Sequence, residues 1–358
     1  MKTGTASLPL HGGKAPAWLF GRMKRLAREI ILIMARDHGV PEILKRVSDP
    51  FWFQALGCVL GFDWHSSGVT TTVCGALKEA VKGLDKETGL FIAGGKGRVS
   101  RRTPDEITAS GDRLSVDPEQ LVYASRMSAK VDSAGVQDGY QLYHHVFFFT
   151  AGGSWAVVQQ GMNTRSRYAR RYHWLGDDVS DFVCDPHAAI CCNARGATLN
   201  LTANDGEKNR QTTAALAREH PDRIIHETRN FETLELPERH RVLKQDLSSP
   251  RLYTILTKTY EQQPADFEQL MGLKGVGPKT LRSLALLSEL IYGAAPSFKD
   301  PARYSYAHGG KDGHPYPVNR EVYDRSIEFL KEAVDNSNIE HSDKKKAFQQ
   351  LNLFYREK

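Results

Sequence analysis

Residues 140–150 read Tyr-Gln-Leu-Tyr-His-His-Val-Phe-Phe-Phe-Thr, and they limit what the rest of the chain can build. Aromatic and β-branched side chains at this density fit a pleated surface better than a helix. Gly152-Gly153 follows, and residues 155–160 return with Trp, Ala, Val, Val, Gln and Gln. A β-hairpin with a two-residue glycine turn is therefore expected. Such a hairpin is not stable alone and needs more strands or a helical layer against it.

The helical layer is plain elsewhere. Leu19, Met23, Leu26, Ile30 and Met34 share one helical face, and Val69, Val73, Leu77 and Ala80 share another. A helix over 41–60 should break near Asp49-Pro50, and residues 90–93 suit a short strand. Thr103-Pro104-Asp105-Glu106 and Asp117-Pro118 are helix starts. From about residue 204 the period is helical throughout, over 207–219, 251–262, 266–270, 281–290 and 320–334, with a Gly/Pro-rich loop over 296–317. The expected fold class is α+β. A mixed α/β domain with the β-hairpin spans 1–203, and an all-helical domain spans 204–358. A length of 358 residues suits two or three domains.

Composition narrows the setting. Lys and Arg number 48 against 42 Asp and Glu, a net charge of +6, which suits a polyanionic partner. Five cysteines, an odd number, make no disulfide framework, and Cys184, Cys191 and Cys192 lack the paired spacing of a zinc site. Residues 1–16 hold no apolar core of a signal peptide, and residues 30–35 are too short and too flanked by charge to span a bilayer. A cytoplasmic protein without a membrane partner is expected.

The motif with most chemical content is Leu273-Lys274-Gly275-Val276-Gly277-Pro278-Lys279-Thr280, between two helical patterns. Glycines allow a tight turn and close approach of a phosphate. The helix that follows offers backbone N–H groups to an anion. A helix-hairpin-helix over 264–291 is expected to hold double-stranded DNA through Gly275, Gly277, Lys279 and Thr280.

Three further groups carry chemistry. Asp63 and His65 stand just before Ser66, Ser67 and Gly68 at a helix start, so the two serines suit a phosphate and the other two a metal or a proton. With the turn centred on Gly152-Gly153, His145 would face Gln160 across the hairpin, with Asp138 in reach. Arg165, Arg167, Arg170 and Arg171 alternate with Tyr168, Tyr172 and Trp174, an arrangement that suits phosphates and exposed bases. His11-Gly-Gly-Lys14 recurs as His308-Gly-Gly-Lys311.

Around residues 251–324 the chain resembles the helix-hairpin-helix DNA glycosylase superfamily, which includes endonuclease III. Its hairpin reads Leu-Pro-Gly-Val-Gly-Arg-Lys-Thr. The resemblance implies that Lys279 matches the Schiff-base lysine, while Asn319 stands where the family's catalytic aspartate would be. Over nearly its full length the chain resembles an uncharacterised archaeal and bacterial family known only as a domain of unknown function. The matching stretches include residues 1–14, 62–68, 159–162, 170–173 and 308–311.

Together these readings point to DNA repair: a metal-dependent endonuclease, a hydrolase acting on damaged or unusual DNA. Asp63, His65, Asp138, His145 and Gln160 are its catalytic candidates. A divalent metal such as Mg or Mn would sit on Asp63, His65 and His145. The alternatives are a base-excision glycosylase or AP lyase using Lys279, and a DNA-binding protein without catalysis.

Overall fold

The structure, a computed structural model, describes residues 15–62, 68–165, 168–192, 196, 198–230, 250–302 and 320–356. Its first half is built on helices α1 (Ala17–Asp37), α2 (Val40–Ser48), α3 (Pro50–Val59) and α4 (Gly68–Ala80). Asp49 ends one helix and starts the next. Its side chain accepts from the Phe51 and Trp52 amides, and Pro50 occupies the first helical position. A short α5 (Asp85–Thr88) leads into β1 (Leu90–Lys96), then α6 (Thr103–Thr108) and α7 (Pro118–Lys130).

The sheet follows. Two-residue β2 (Val136–Gln137) precedes β3 (Gln141–Thr150), β4 (Trp155–Asn163), β5 (Tyr168–Leu175), β6 (Ala189–Cys191) and β7 (Leu199–Asn200). The main sheet runs β1-β3-β4-β5-β6, all antiparallel, and β2 pairs with β7 apart from it. Helices α8 (Glu207–Ala217), α9 (Pro221–Asn230), α10 (Pro250–Gln262), α11 (Phe267–Gly272), α12 (Pro278–Tyr292), α13 (Arg320–Asp335) and α14 (His341–Arg356) complete the order. The architecture is α+β, as expected.

The hairpin register differs from the expected one by a residue. The Thr150 amide bonds the Ser154 carbonyl at 2.9 Å, so the loop is three residues, Ala151, Gly152 and Gly153. Gly153 takes the left-handed backbone, φ 93°, that closes such a loop. His145 therefore pairs with Gln159, and His144 with Gln160. A one-residue slip moves each side chain to the opposite face relative to its expected partner, so His145 and Gln160 lie on different sides of the sheet.

Both faces are covered. Phe147, Phe149, Val157, Tyr172 and Trp174 pack with Leu121, Met127, Leu270, Leu281 and Leu284 of α7, α11 and α12. Val146, Phe148, Ala156 and Val158 pack with Ile30, Phe53 and Val73 of α1, α3 and α4, and with Leu330, Val334 and Leu351 of α13 and α14. The consecutive Phe147, Phe148 and Phe149 thus serve two cores in alternation, each worth about 1.5–3 kcal/mol on full burial.

The segment carrying Arg170, Arg171, Tyr172 and Trp174 is strand β5, buried on both faces. Tyr168, Arg170, Tyr172 and Trp174 fall at every second residue, which is the period of a strand. Arg170, Tyr172 and Trp174 face one core, and Arg171 and His173 the other.

Candidate functional site

The site forms where α7 crosses the end of β3. Asp117 caps the start of α7 by accepting from the Glu119 amide at 3.0 Å, with Pro118 in the first position. The last turn of α7 runs into a single wider turn, Val131–Gly135, of π-helical geometry. Such a turn breaks the helix period and re-aims a side chain. Here it carries Asp132, which is fully buried.

A chain of hydrogen bonds joins α7 to the sheet. Ser125 Oγ lies 2.9 Å from His145 Nε2, and His145 Nδ1 lies 2.9 Å from Gln159 Oε1. Gln159 Nε2 donates to Asp132 Oδ2 at 2.6 Å, and Trp174 Nε1 donates to the same oxygen at 3.1 Å. His187 Nε2 pairs with the other oxygen, Oδ1.

This network fixes the proton on the imidazole. Trp174 can only donate, so Asp132 Oδ2 is an acceptor and draws the amide nitrogen of Gln159 toward it. The amide oxygen then faces His145, so Nδ1 must carry the hydrogen. Nε2 is left with a lone pair aimed at Ser125, whose hydroxyl donates to it. Burial pushes the His145 imidazole down to about 4, opposed by the bond to Gln159, so the ring is neutral near pH 7. Burial pushes the Asp132 carboxyl up, opposed by His187 and by the Trp174 N–H.

Ser125 and His145 line a cavity of about 300 Å³, together with Arg101, Arg126, Ser133 and His144. Arg101 and Arg126 are exposed, and no hydrogen bond or ion pair among the described residues engages either guanidinium. Arg98 and Arg102 share this state on the same stretch, Gly97–Arg102, that follows β1. Both ring nitrogens of His144 are buried without a partner among the described residues. Burial pushes that imidazole down to about 3, helped by His145 and Lys96.

The backbone of His145 leaves no latitude at Gly94 of the neighbouring strand. Its φ is 92°, and a Cβ there would lie 2.3 Å from the His145 carbonyl oxygen and 2.5 Å from Thr103 Oγ1. Only glycine fits this approach of β1 to β3.

The other candidates fall elsewhere. Asp138 Oδ2 takes Arg170 Nη1 at 2.9 Å and the Tyr172 hydroxyl at 2.7 Å. Arg170 Nη2 reaches Asp300 at 2.8 Å, and its guanidinium lies over the Tyr140 ring. Both partners of the Asp138–Arg170 pair are 1 % exposed, so Arg170 is an internal ion-pair partner and not a phosphate contact. Arg171 is likewise buried, bonded to Gln54 at 3.1 Å and set over Phe53. Gln160, on the far face, accepts from Thr70 and donates to Tyr143. Arg165 is exposed in the link between β4 and β5. Asp63, His65, Ser66, Ser67, Arg167, Asn319 and both His-Gly-Gly-Lys segments lie outside the described residues. Among those described, no three His, Cys, Asp or Glu side chains gather to hold a metal. His145 does not suit a metal as arranged here, since one ring nitrogen is protonated toward Gln159 and the other's lone pair is taken by Ser125.

The glycine turn sits beside the same helix. Helix α11 and helix α12 flank residues 273–277, and Gly275 has φ 98°. Lys274, Gly275 and Lys279 are exposed, while Val276 and Thr280 are buried. Nothing lies within 4 Å of the place a Cβ would take on Gly275 or Gly277. Lys130, at the end of α7, donates to the Val276 carbonyl at 2.5 Å, and Gln137 donates to the Pro278 carbonyl at 2.9 Å.

Sequence reasoning missed Ser125, Asp132 and Gln159, and also the basic stretch at 98–102. The last was open to reading as a cluster of three arginines in five residues.

The model of the family described as protein of unknown function (DUF763) matches residues 4–318, and the chain belongs to that family. No curated protein and no solved structure matches it. Among the described residues no helix is long and apolar enough to cross a membrane.

Proposed function

We propose that this protein grips double-stranded DNA by its backbone and cuts it, as a repair endonuclease acting on damaged or unusual DNA. The observation that carries the reading is the turn at 273–277. Two glycines there face open space, two exposed lysines flank them, and a fifteen-residue helix begins at Pro278 with glycine as its N-cap. That combination accommodates a phosphate closely and offers it N–H donors and positive charge. Arg126 of α7 and Arg101 line one cavity, Arg98 and Arg102 are exposed on the same stretch as Arg101, and the chain carries +6 overall.

Titration of a labelled duplex at several salt concentrations tests the gripping half. Changing Lys274 and Lys279 to Glu should weaken binding to every duplex alike and lower the salt slope by about two phosphate contacts. Unchanged affinity and slope would remove the turn from the interface. A panel of damaged duplexes scored for nicks tests the cutting half. Binding without nicks would leave a DNA-binding protein. A borohydride-trapped adduct on Lys279 would mean a lyase.

A further inference from the structure

We propose that the cavity beside α7 is a hydrolytic centre in which Ser125 is the nucleophile and His145 its base, acting on a phosphodiester. The inference rests on the DNA-cutting reading for its substrate and on the Ser125–His145 geometry for its chemistry. Ser125 and His145 are joined at 2.9 Å, and both line one cavity. The ring is held in the tautomer that leaves Nε2 free to take the serine proton. Gln159 and Asp132 are positioning residues that enforce this tautomer through bonds of 2.9 Å and 2.6 Å. A nucleophile, a base in reach and a third group orienting that base are the parts that covalent catalysis requires.

The substrate class follows from the walls. Arg101 and Arg126 line the cavity, and none of the acidic residues described lines it. Arginine forks match phosphate oxygens in geometry as well as charge. The cavity volume, about 300 Å³, admits a phosphodiester with part of one sugar.

The reaction balances without further reagents than water. Ser125 Oγ attacks phosphorus as its proton passes to His145 Nε2. The Oγ–P bond forms, the bond from phosphorus to one deoxyribose oxygen breaks, and that oxygen takes the proton from Nε2. Water then attacks the phosphoseryl ester and gives a proton to Nε2. Ser125 Oγ leaves and recovers that proton, so the sum is hydrolysis to a phosphomonoester and an alcohol.

The test uses the full-length protein and two probes that need no duplex binding. A biotin-tagged fluorophosphonate transfers its phosphonyl group to an activated serine and releases fluoride. Peptide mass spectrometry should find the tag on Ser125, and Ser125→Ala should lose it. His145→Gln, which keeps a polar side chain of similar reach, should slow labelling about 100-fold or more. Hydrolysis of bis(4-nitrophenyl) phosphate should fall in step in both variants. Circular dichroism and duplex affinity equal to the parent protein would show that each variant is folded. A folded parent protein that takes no tag at Ser125 overturns the proposal, as does nicking or diester hydrolysis that persists in Ser125→Ala. Failure of the DNA reading looks different: Ser125 is labelled and the diester is hydrolysed, yet no duplex binds.

Discussion

Gln159 Nε2 stands 2.6 Å from Asp132 Oδ2, and this one bond decides which ring nitrogen of His145 carries its hydrogen. Asp132→Leu keeps similar bulk but removes the acceptor that Gln159 and Trp174 share. The amide of Gln159 can then turn over, and His145 loses the lone pair aimed at Ser125. Fluorophosphonate labelling of Ser125 by the folded fraction should fall about 100-fold or more. Asp132→Asn, whose amide oxygen still accepts from Trp174 and Gln159, should label far faster than Asp132→Leu, and labelling at the parent rate in folded Asp132→Leu protein would show that the tautomer is set elsewhere.

The buried imidazoles should make stability depend on pH. His145 and His144 are pushed down to about 4 and about 3 by burial, and His173 lies well below its ordinary 6.5 for the same reason. The unfolded chain binds these protons near 6.5, before the folded one does. Stability is therefore complete above about 6.5 and declines as the pH falls toward the folded values. Each imidazole costs up to about 1.4 kcal/mol per pH unit across that window. Thermal melts from pH 8 to pH 4 should show a plateau and then a steep drop. His144→Phe should make the drop shallower.

The proposed diester hydrolysis should have a different profile. A base that is neutral down to about 4 does not change its charge between pH 6 and 8. Single-turnover rates should be flat over that range and fall only below about pH 5. A tenfold rise from pH 6 to 7 would assign the base to a group with a higher pKa.

Gly94→Ala should reach the site through the backbone. The added carbon would stand 2.3 Å from the His145 carbonyl oxygen, and the backbone there has φ 92°. We expect a loss of about 1–3 kcal/mol in urea unfolding, with weaker labelling of Ser125. Gly152→Ala, on the far end of the hairpin, meets only Thr150 Oγ1 at 3.8 Å and serves as the control.

Arg170 should prove structural. Removing its guanidinium leaves Asp138 buried without its cation, so Arg170→Ala should cost about 3–5 kcal/mol. The salt slope of duplex binding by the folded fraction should equal that of the parent protein. Replacing Arg98, Arg101 and Arg102 with Ser should do the opposite. Stability should hold, and the slope should fall by about one for each phosphate that an arginine no longer neutralises.

These contrasts show what the sequence could carry. The break at Asp49-Pro50 and the start of α7 at Asp117-Pro118 were legible because capping and proline chemistry are local. The hairpin was legible too, but its register turned on whether the loop held two residues or three. Gly152-Gly153 fits both, and the wrong choice put His145 opposite Gln160. The arginines of β5 looked exposed because charge suggests solvent. Asp138, Asp300 and Gln54, which make their burial tolerable, are 32, 130 and 117 residues away. Asp132 gave no signal at all. Its inward direction comes from one turn of π-helix, which has no apolar period to read.

Helix α7 joins Ser125 to Lys130, whose ammonium holds the glycine turn at Val276. Five residues of helix span about 7.5 Å, and a helix does not stretch. Grip and scissile bond would then be kept at a constant offset, as marks on a ruler. Cuts should fall at a constant number of nucleotides from the backbone contact, whatever the base sequence. Lengthening α7 by one turn should move every cut by the same step.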